Sequence, residues 1–511
     1  MAQTITKNII KYDLKASLVV FLVALPLCLG IAVASGAPPL AGLIAGIIGG
    51  VIIGVLSGSH VSVSGPAAGL TVIVLDSIAS LGSFDLFLGT VVIAGLIQII
   101  LGFAKAGVLG YYFPHSVIKG MLTAIGLILI IKQIPHGLGW DKETMGLAQL
   151  ESSSSFSEIW FAFQNFSIGA IPITLISLLI LYFFDRPKIK AHKLIGVIPG
   201  ALWVVVLGVL INKFYQIFLP DWTQSGKLLV NIPIARNLAE MASLLTFPDF
   251  SAINTSNFWI IAVTIAVIAS IETLLSIEAG DKMDPEKRIT PTSRELVAQG
   301  IGNSISGLIG GLPVTAVIVR TSANIGAGAK TKLSAIFHGV LIFILVLTIP
   351  EILNQIPLSC LAAILIMVGY KLAKPSVFID EYLKGRSQFI PFIVTVISIL
   401  LTNLLVGIGI GLVVGFFFII QANYHKRVTL LEDKGVYVLK LQKQVSYLNK
   451  APLMKALESI PDGSEVLINA TKANFIDKDI EEILNDFISS AAQKSIDIKT
   501  KGFKYNLKEF H

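Results

Sequence analysis

Long apolar runs recur along most of this chain, from Asp13 to Gln421. Each is close to the roughly 20 residues that cross the hydrocarbon core of a bilayer as one helix. Only 14% of the 511 residues are charged, against roughly a quarter in soluble proteins. The first run, from Leu18, continues into further runs and therefore does not resemble a cleaved signal peptide. The pattern predicts a polytopic α-helical membrane protein.

We predict about fourteen membrane segments, of which two are too short to cross a bilayer. The short segments, 66–80 and 314–327, each follow a break marked by Gly or Pro, which indicates a half-helix that begins inside the membrane. The predicted segments are 13–35, 38–57, 66–80, 85–104, 116–134, 168–185, 194–212, 257–280, 294–310, 314–327, 333–350, 358–373, 388–403 and 404–421.

Basic residues cluster in short loops that all fall on one side of these segments. A net charge of +7 would suit a nucleic-acid-binding protein, but these loops are where membrane topology places Lys and Arg. We therefore expect no nucleic-acid partner, and both termini on the cytoplasmic side of a plasma (inner) membrane. The basic clusters lie at 7–15, 105, 186–193, 282–294, 330–332, 371–386 and 426–427.

The two halves of seven segments resemble each other and, because seven is odd, have opposite orientations. In each half a Gly-rich segment, 38–57 or 294–310, runs into a break and then a half-helix. Paired interrupted segments in inverted halves indicate a transporter site. For the glycines of the two full segments we favour close helix packing; for the breaks at Pro66 and Pro313 we favour a functional role.

Two half-helices that meet N-terminus to N-terminus form an anion site, because each contributes about half a positive charge and unpaired N–H donors. Mostly small side chains at both breaks would let these donors approach a compact ion. Arg320 adds a full charge; the alternative is an arginine that snorkels to the cytoplasmic face. The other candidates are Gly65, Pro66, Ala67, Ala68, Gly69, Pro313, Val314, Thr315, Ala316, Val317, Ile318 and Val319.

Glu272 lies in the middle of the eighth segment, and Ser276 follows four residues later on the same helix face. An ionised carboxylate in an apolar span is costly unless it is protonated, ion-bound or paired. The pair suits a Na⁺ site or a proton relay; the alternatives are a structural hydrogen bond or an ion pair with Arg320. We interpret Cys28 as a packing residue and His338 as an interfacial one. The two cysteines, Cys28 and Cys360, lie inside apolar runs, which excludes a disulfide framework and a zinc site.

The composition changes after Gln421, so we assign residues 1–424 to a transmembrane domain and 425–511 to a cytosolic α/β domain. Residues 435–441 and 465–469 are predicted strands, and 451–459 and 479–492 predicted helices. No Walker motif and no Ser-His-Asp or metal-ligating arrangement occurs in the sequence. We therefore expect no enzyme, no ATP-driven transport and no cofactor, with Na⁺ as the one candidate ion.

Several motifs of the membrane part, in their order along the chain, resemble the sulfate permease (SulP) family, and the tail is similar to that family's STAS domain. The motifs are Val23-Ala24-Leu25-Pro26, Ser35-Gly36-Ala37-Pro38-Pro39-Leu40-Ala41-Gly42, Val63-Ser64-Gly65-Pro66, Ile271-Glu272-Thr273-Leu274-Leu275-Ser276, Gly310-Gly311-Leu312-Pro313 and Arg320-Thr321. The resemblance implies seven-plus-seven inverted repeats with core and gate domains, an elevator-like movement and a homodimer. It places the anion site at Leu27, Ile31, Ala67, Glu272, Val319 and Arg320.

The leading hypothesis is a symporter of a small inorganic anion, with bicarbonate or sulfate first, coupled to Na⁺ or H⁺. An uncoupled anion exchanger or channel is one alternative. A nucleobase permease of the same fold is another, although such permeases carry a second carboxylate in the tenth segment and this chain has no acid from Leu312 to Ala329. A membrane-tethered interaction protein would need far fewer spans.

Overall fold

The computed structural model describes residues 2–107, 114–140, 155–186, 189, 199–234, 240, 243–402, 404–424, 428–433 and 435–502. Parts of the basic clusters, at 187–188, 190–193 and 426–427, lie outside the described residues. The chain forms two compact units, Met1–Ile379 with Thr395–Ile408, and Asp380–Val394 with Gly409–His511. The predicted domain boundary between residues 424 and 425 stays a prediction.

Each of the fourteen predicted membrane segments coincides with a helix in the described part of the chain. Eight helices there are long and apolar enough to cross a membrane, and the predicted fold class, a polytopic α-helical protein with a C-terminal α/β region, is confirmed. The helices are α1 Ala2–Ala34, α2 Pro39–Ile48, α3 Thr71–Leu81, α4 Phe84–Phe103, α5 His115–Gly137, α6 Ala170–Phe184, α7 Gly200–Phe218, α8 Ser256–Met283, α9 Thr292–Leu308, α10 Ile318–Gly326, α11 Leu333–Thr348, α12 Leu358–Leu372, α13 Arg386–Leu401 and α14 Leu404–Tyr424.

The glycines of the two Gly-rich segments serve close packing, as predicted. A Cβ added to Gly300 on α9 would lie 2.6 Å from the carbonyl oxygen of Gly95 on α4. A Cβ on Gly50, in the π-helical turn Gly49–Ile53 that continues α2, would lie 2.6 Å from Cα of Gly339 on α11. Both neighbours are backbone atoms that cannot rotate away, so these helices pack backbone against backbone.

The two predicted breaks meet as a pair of short extended strands. β1 (Ser64–Pro66) pairs antiparallel with β2 (Val314–Ala316), with Gly65 opposite Thr315; this pair is called the crossing below. The prediction that Pro66 and Pro313 open the half-helices is wrong by a few residues. The first half-helix begins with a 3₁₀ turn at Ala68 that leads into α3, and the second, α10, begins at Ile318. Within an apolar environment the ladder pairs backbone groups that a helix start would leave open.

Polar side chains of α8 and α9 bind backbone groups of Val314 and Ala316 and the side chain of Ser64 in the crossing. Asn303 Nδ2 donates to the Val314 carbonyl (3.0 Å), and its Oδ1 accepts from the Val314 N–H (2.5 Å). Gln299 Nε2 donates to Ser64 Oγ at 2.7 Å. Thr273 Oγ1 accepts from the Ala316 N–H at 3.2 Å. The crossing is therefore held from two helices as well as by its own ladder.

The C-terminal α/β region confirms the predicted strands and helices there. Four strands lie in the order β3-β4-β5-β6, with β3 antiparallel to β4 and the other neighbours parallel. Buried side chains of the sheet and of both helices form one hydrophobic core. The elements are β3 Val428–Asp433, β4 Val436–Val445, α15 Lys450–Glu458, β5 Glu465–Ile476, α16 Lys478–Ser490 and β6 Asp497–Lys501.

Gly300→Ala should lower the free energy of unfolding by about 1–3 kcal/mol, the usual cost of overpacking a buried site. The added methyl group would press on the backbone of α4. Thermal unfolding of the purified protein measures the effect. Gly326→Ala is the matched control, because a Cβ there meets no heavy atom within 4 Å; equal melting temperatures for the two variants would contradict the packing argument.

Asn303→Leu should destabilise the protein by about 1–3 kcal/mol for each buried Val314 group that loses its partner. The same unfolding experiment tests it, with Ser304→Ala as control. Ser304 is the next residue of α9 and donates only to the carbonyl of Val92 at 3.3 Å. A Leu variant as stable as the Ala control would show that Asn303 does not hold the crossing.

Candidate functional site

Each half-helix begins directly after one strand of the crossing: the first follows β1 and the second follows β2. Ala67 is extended and buried, and Ala68 and Gly69 begin the 3₁₀ turn that leads into α3. On the other side Val317 is extended and precedes α10. Side chains at these positions are small or apolar, so backbone N–H groups are the main polar groups that the helix ends offer.

Arg320 is the largest fully buried side chain among the described residues. It lies in the first turn of α10, and its Nη2 donates to Cys28 Sγ of α1 at 3.3 Å. Its Nε and Nη1 atoms are buried without a hydrogen-bond partner. The guanidinium rests on Gly65, where an added Cβ would clash with Nη1. This burial argues against snorkelling to the cytoplasmic face, because a snorkelling side chain ends in water.

Two residues near Arg320 differ from the sequence interpretation. Cys28, interpreted as a packing residue, is the hydrogen-bond acceptor of the guanidinium. His338, interpreted as interfacial, is fully buried in α11; its Nδ1 lies 3.0 Å from the Ala335 carbonyl and its Nε2 has no partner. Local sequence could not reveal the contact of Cys28 with Arg320 or the burial of His338, because both depend on which distant helices pack together.

The carboxyl group of Glu272 lies against the start of the other half-helix. A Cβ on Gly69 would lie 2.6 Å from Oε1 of Glu272, so the carboxyl group packs directly against the Gly69 backbone. Its Oε2 is buried and has no partner. Arg320 and Glu272 do not form the ion pair left open by the sequence, since Arg320 bonds Cys28 instead. Arg320 therefore lies in one half-helix, and Glu272 of α8 packs against the start of the other.

The remaining candidates divide into buried and accessible positions. Leu27 and Ile31 are 6% and 4% exposed on α1, on either side of Cys28 in sequence. Ser276 is buried one helical turn beyond Glu272. Val319 is 42% exposed, whereas its neighbour Arg320 is buried. Pro66 and the segment 313–316 form or adjoin the crossing and are buried.

Sequence reasoning missed a buried polar group behind the crossing. Glu295 of α9 is fully buried and accepts from Ser57 Oγ at 2.5 Å, from the Gly58 N–H at 3.3 Å and from Gln299 Nε2 at 3.1 Å. Gln299 in turn reaches Ser64 of the crossing. The signal was present, because residues 295, 299, 303 and 306 are all polar and lie on one face at helical spacing.

A hard cation such as Na⁺ takes oxygen ligands from carboxylates, hydroxyls and backbone carbonyls. The described residues contain no cluster of three or more His, Cys, Asp or Glu side chains that could hold a metal ion. The unpartnered Oε2 of Glu272, with a serine one turn away, fits a cargo cation bound by mixed oxygen ligands.

Known proteins resemble this chain over most of its length. It is 26% identical over 472 residues to the "Putative sulfate transporter YvdB" of Bacillus subtilis, covering 88% of this chain and 84% of that protein. It is 26% identical over 393 residues to the "Bicarbonate transporter BicA" of Synechocystis, covering 74% of this chain and 63% of that protein.

Solved structures share the fold. The transmembrane domain of a cyanobacterial BicA superposes with a TM-score of 0.65 at 26% identity, covering 79% of this chain and 97% of that one. SLC26A9 superposes with a TM-score of 0.79 over 98% of this chain and 86% of that one, at 16% identity, a level that supports the fold alone. Residues 10–395 match the sequence profile of the sulfate permease family. The chain is therefore a member of the sulfate permease family, a family of membrane anion transporters rather than enzymes.

Proposed function

We propose that this protein carries a small inorganic anion, bicarbonate or sulfate, across the plasma membrane by secondary active transport coupled to Na⁺ or H⁺. The anion binds between the two half-helix ends beside Arg320, and the crossing moves with it in an elevator-like step. Residues 425–511 act as a cytosolic STAS-like domain that tunes transport, the chain works as a homodimer, and both termini are cytoplasmic.

The uncompensated charge of Arg320 is the observation that carries this proposal. A buried guanidinium in an apolar environment is costly unless an anion or acid neutralises it. Its one hydrogen bond goes to a thiol, and two of its nitrogens have no partner. A transported anion would supply the missing charge and the missing acceptors at once, and bonds from a guanidinium to an oxyanion are among the stronger ones in proteins.

The small side chains around this position favour a compact ion. Gly65, Ala67 and Gly69, at the start of one half-helix, have small side chains or none, and Leu27 and Ile31 of α1 are apolar. A nucleobase permease would need further polar groups to read the ring edges, and α10 contains no acidic residue. The relatives named for sulfate and for bicarbonate both support an oxyanion.

Coupling is assigned to Glu272 with Ser276. A bare carboxylate near the anion site would repel the substrate, so the site favours anion binding when Glu272 carries a proton or a Na⁺ ion. Binding of the cation and of the anion would then support each other, as two ligands do when each improves the affinity for the other. An uncoupled exchanger or channel would lack this dependence.

Arg320→Gln should reduce anion uptake at least tenfold, because it removes the charge while keeping a hydrogen-bonding side chain. Ala67→Trp should block uptake by filling the space at the other half-helix. Radiolabelled bicarbonate and sulfate uptake into proteoliposomes measures both. Arg294→Gln is the control, since Arg294 is exposed and donates to the Leu56 carbonyl. Normal uptake by folded Arg320→Gln and Ala67→Trp variants would remove the site from this position.

Glu272→Gln should retain anion binding and exchange but lose accumulation driven by Na⁺ or pH gradients, because the amide mimics the protonated carboxyl group. Ser276→Ala then separates the coupling ions: a Na⁺ site loses apparent Na⁺ affinity with an oxygen ligand, whereas a proton site is hardly affected. Uptake under imposed Na⁺ and pH gradients measures both variants. If gradient-driven accumulation survives in the Gln variant, Glu272 is structural and the coupling assignment fails.

A further inference from the structure

A buried histidine lies near the proposed anion site, and the transport steps described so far do not use it. His338 of α11 is fully buried, and its Nδ1 lies 3.0 Å from the Ala335 carbonyl oxygen. A carbonyl oxygen only accepts, so Nδ1 of the neutral ring carries the hydrogen and Nε2 is an acceptor. Within the described part of the chain this Nε2 has no hydrogen-bond partner. A buried acceptor without a donor is costly, so a ligand that donates to Nε2 would bind favourably.

Helix α2 brings α11 beside the side chain of Arg320. A Cβ on Gly46 would lie 2.7 Å from Sγ of Cys28, the acceptor of the guanidinium, and 3.1 Å from Cδ1 of Ile342 on α11. His338 precedes Ile342 by one helical turn. The positive charge of Arg320 acts on the His338 ring. The guanidinium and the imidazole are therefore neighbours inside the first compact unit.

The imidazole of His338 is held in one orientation before a ligand binds. Its Nδ1 is bonded to the Ala335 carbonyl oxygen. A Cβ on Gly50 would lie 2.9 Å from that oxygen and 2.6 Å from Cα of Gly339, so α11 packs closely on the π-helical turn here. A fixed acceptor lowers the ordering cost of binding.

Arg320 and His338 together require a ligand with both acceptors and a donor. The Nε and Nη1 atoms of Arg320 are donors without partners among the described residues, and a guanidinium binds two oxygens of an oxyanion well. The His338 Nε2 atom is an acceptor and needs a hydrogen. Bicarbonate has two oxygens that share its negative charge and a hydroxyl group that donates. Sulfate at neutral pH has acceptors alone, so it would leave the imidazole nitrogen unpaired.

We propose that His338 determines specificity, and that the site selects an oxyanion that keeps a hydroxyl group, with bicarbonate preferred over sulfate. This inference rests on the proposed function, because it places the anion at Arg320. Nε and Nη1 of Arg320 donate to the two charged oxygens, and the bicarbonate hydroxyl group donates to Nε2 of His338. A site that bonds a substrate hydroxyl group rejects an analogue without one, because its own buried polar group is then left unpaired.

Competition between nitrate and radiolabelled bicarbonate for uptake into proteoliposomes tests this role on the full-length protein. Nitrate has the planar shape and single negative charge of bicarbonate but no hydroxyl group. In the wild type the inhibition constant of nitrate should be at least tenfold above the KM for bicarbonate. This comparison requires no substitution, so it does not depend on the folding of a variant.

His338→Phe keeps a planar ring and removes the acceptor. It should raise the KM for bicarbonate at least tenfold and change the inhibition constant of nitrate less than twofold; an unchanged nitrate constant also shows that the variant is folded. His338→Gln should recover part of the preference, because its amide oxygen accepts. His115→Phe is the matched control, since His115 is exposed at the start of α5, and it should behave as the wild type does.

Equal affinity of the wild type for nitrate and bicarbonate would overturn the role of His338. A His338→Phe variant that keeps the preference for bicarbonate would also overturn it, and would mean that water bonds Nε2. Parallel uptake of radiolabelled sulfate separates this inference from the proposed function. If sulfate is transported and bicarbonate is not, only the inference fails. If neither anion is transported, the proposed function fails with it.

Discussion

A backbone N–H or C=O group inside a bilayer has no water to bond, so every residue that leaves the helical conformation there must find another partner. This constraint determines how the two interrupted membrane segments are held. Two segments leave the helical conformation at the crossing, and each provides ladder partners for the other as β1 and β2. The amide of Asn303 continues this pairing, since it bonds both backbone groups of Val314.

The two charged groups of the site depend on glycines in the opposite half of the chain. Gly65 makes room for the guanidinium of Arg320, and Gly69 makes room for the carboxyl group of Glu272. Both glycines belong to the first half, whereas both charged residues belong to the second. The first half of the chain therefore provides the space, and the second half provides the charged side chains. The two halves contribute differently even though their half-helices resemble each other.

Much of this arrangement could be predicted from the sequence, because apolar length and basic loops are local signals. All fourteen segments and both half-helices were found in this way. The register of β1 on β2 was not, since pairing between residues about 250 positions apart leaves no local trace. The partners of Arg320 and the burial of His338 were missed for the same reason. The spacing of the polar residues in α9 predicts that they share one face of the helix, but it could not show that this face lies against the crossing.

The ladder between β1 and β2 also limits how the molecule can move. Gly65 and Thr315 are direct partners, so separating the half-helices would break hydrogen bonds that have no water to replace them. A motion that keeps this ladder intact carries both half-helices together. The distance across the crossing would then stay constant during such a motion. A pair of spectroscopic labels at the two ends of the crossing would give one distance in every conformation. A pair with one label on the crossing and one on a stationary part of the molecule would measure how far the crossing moves.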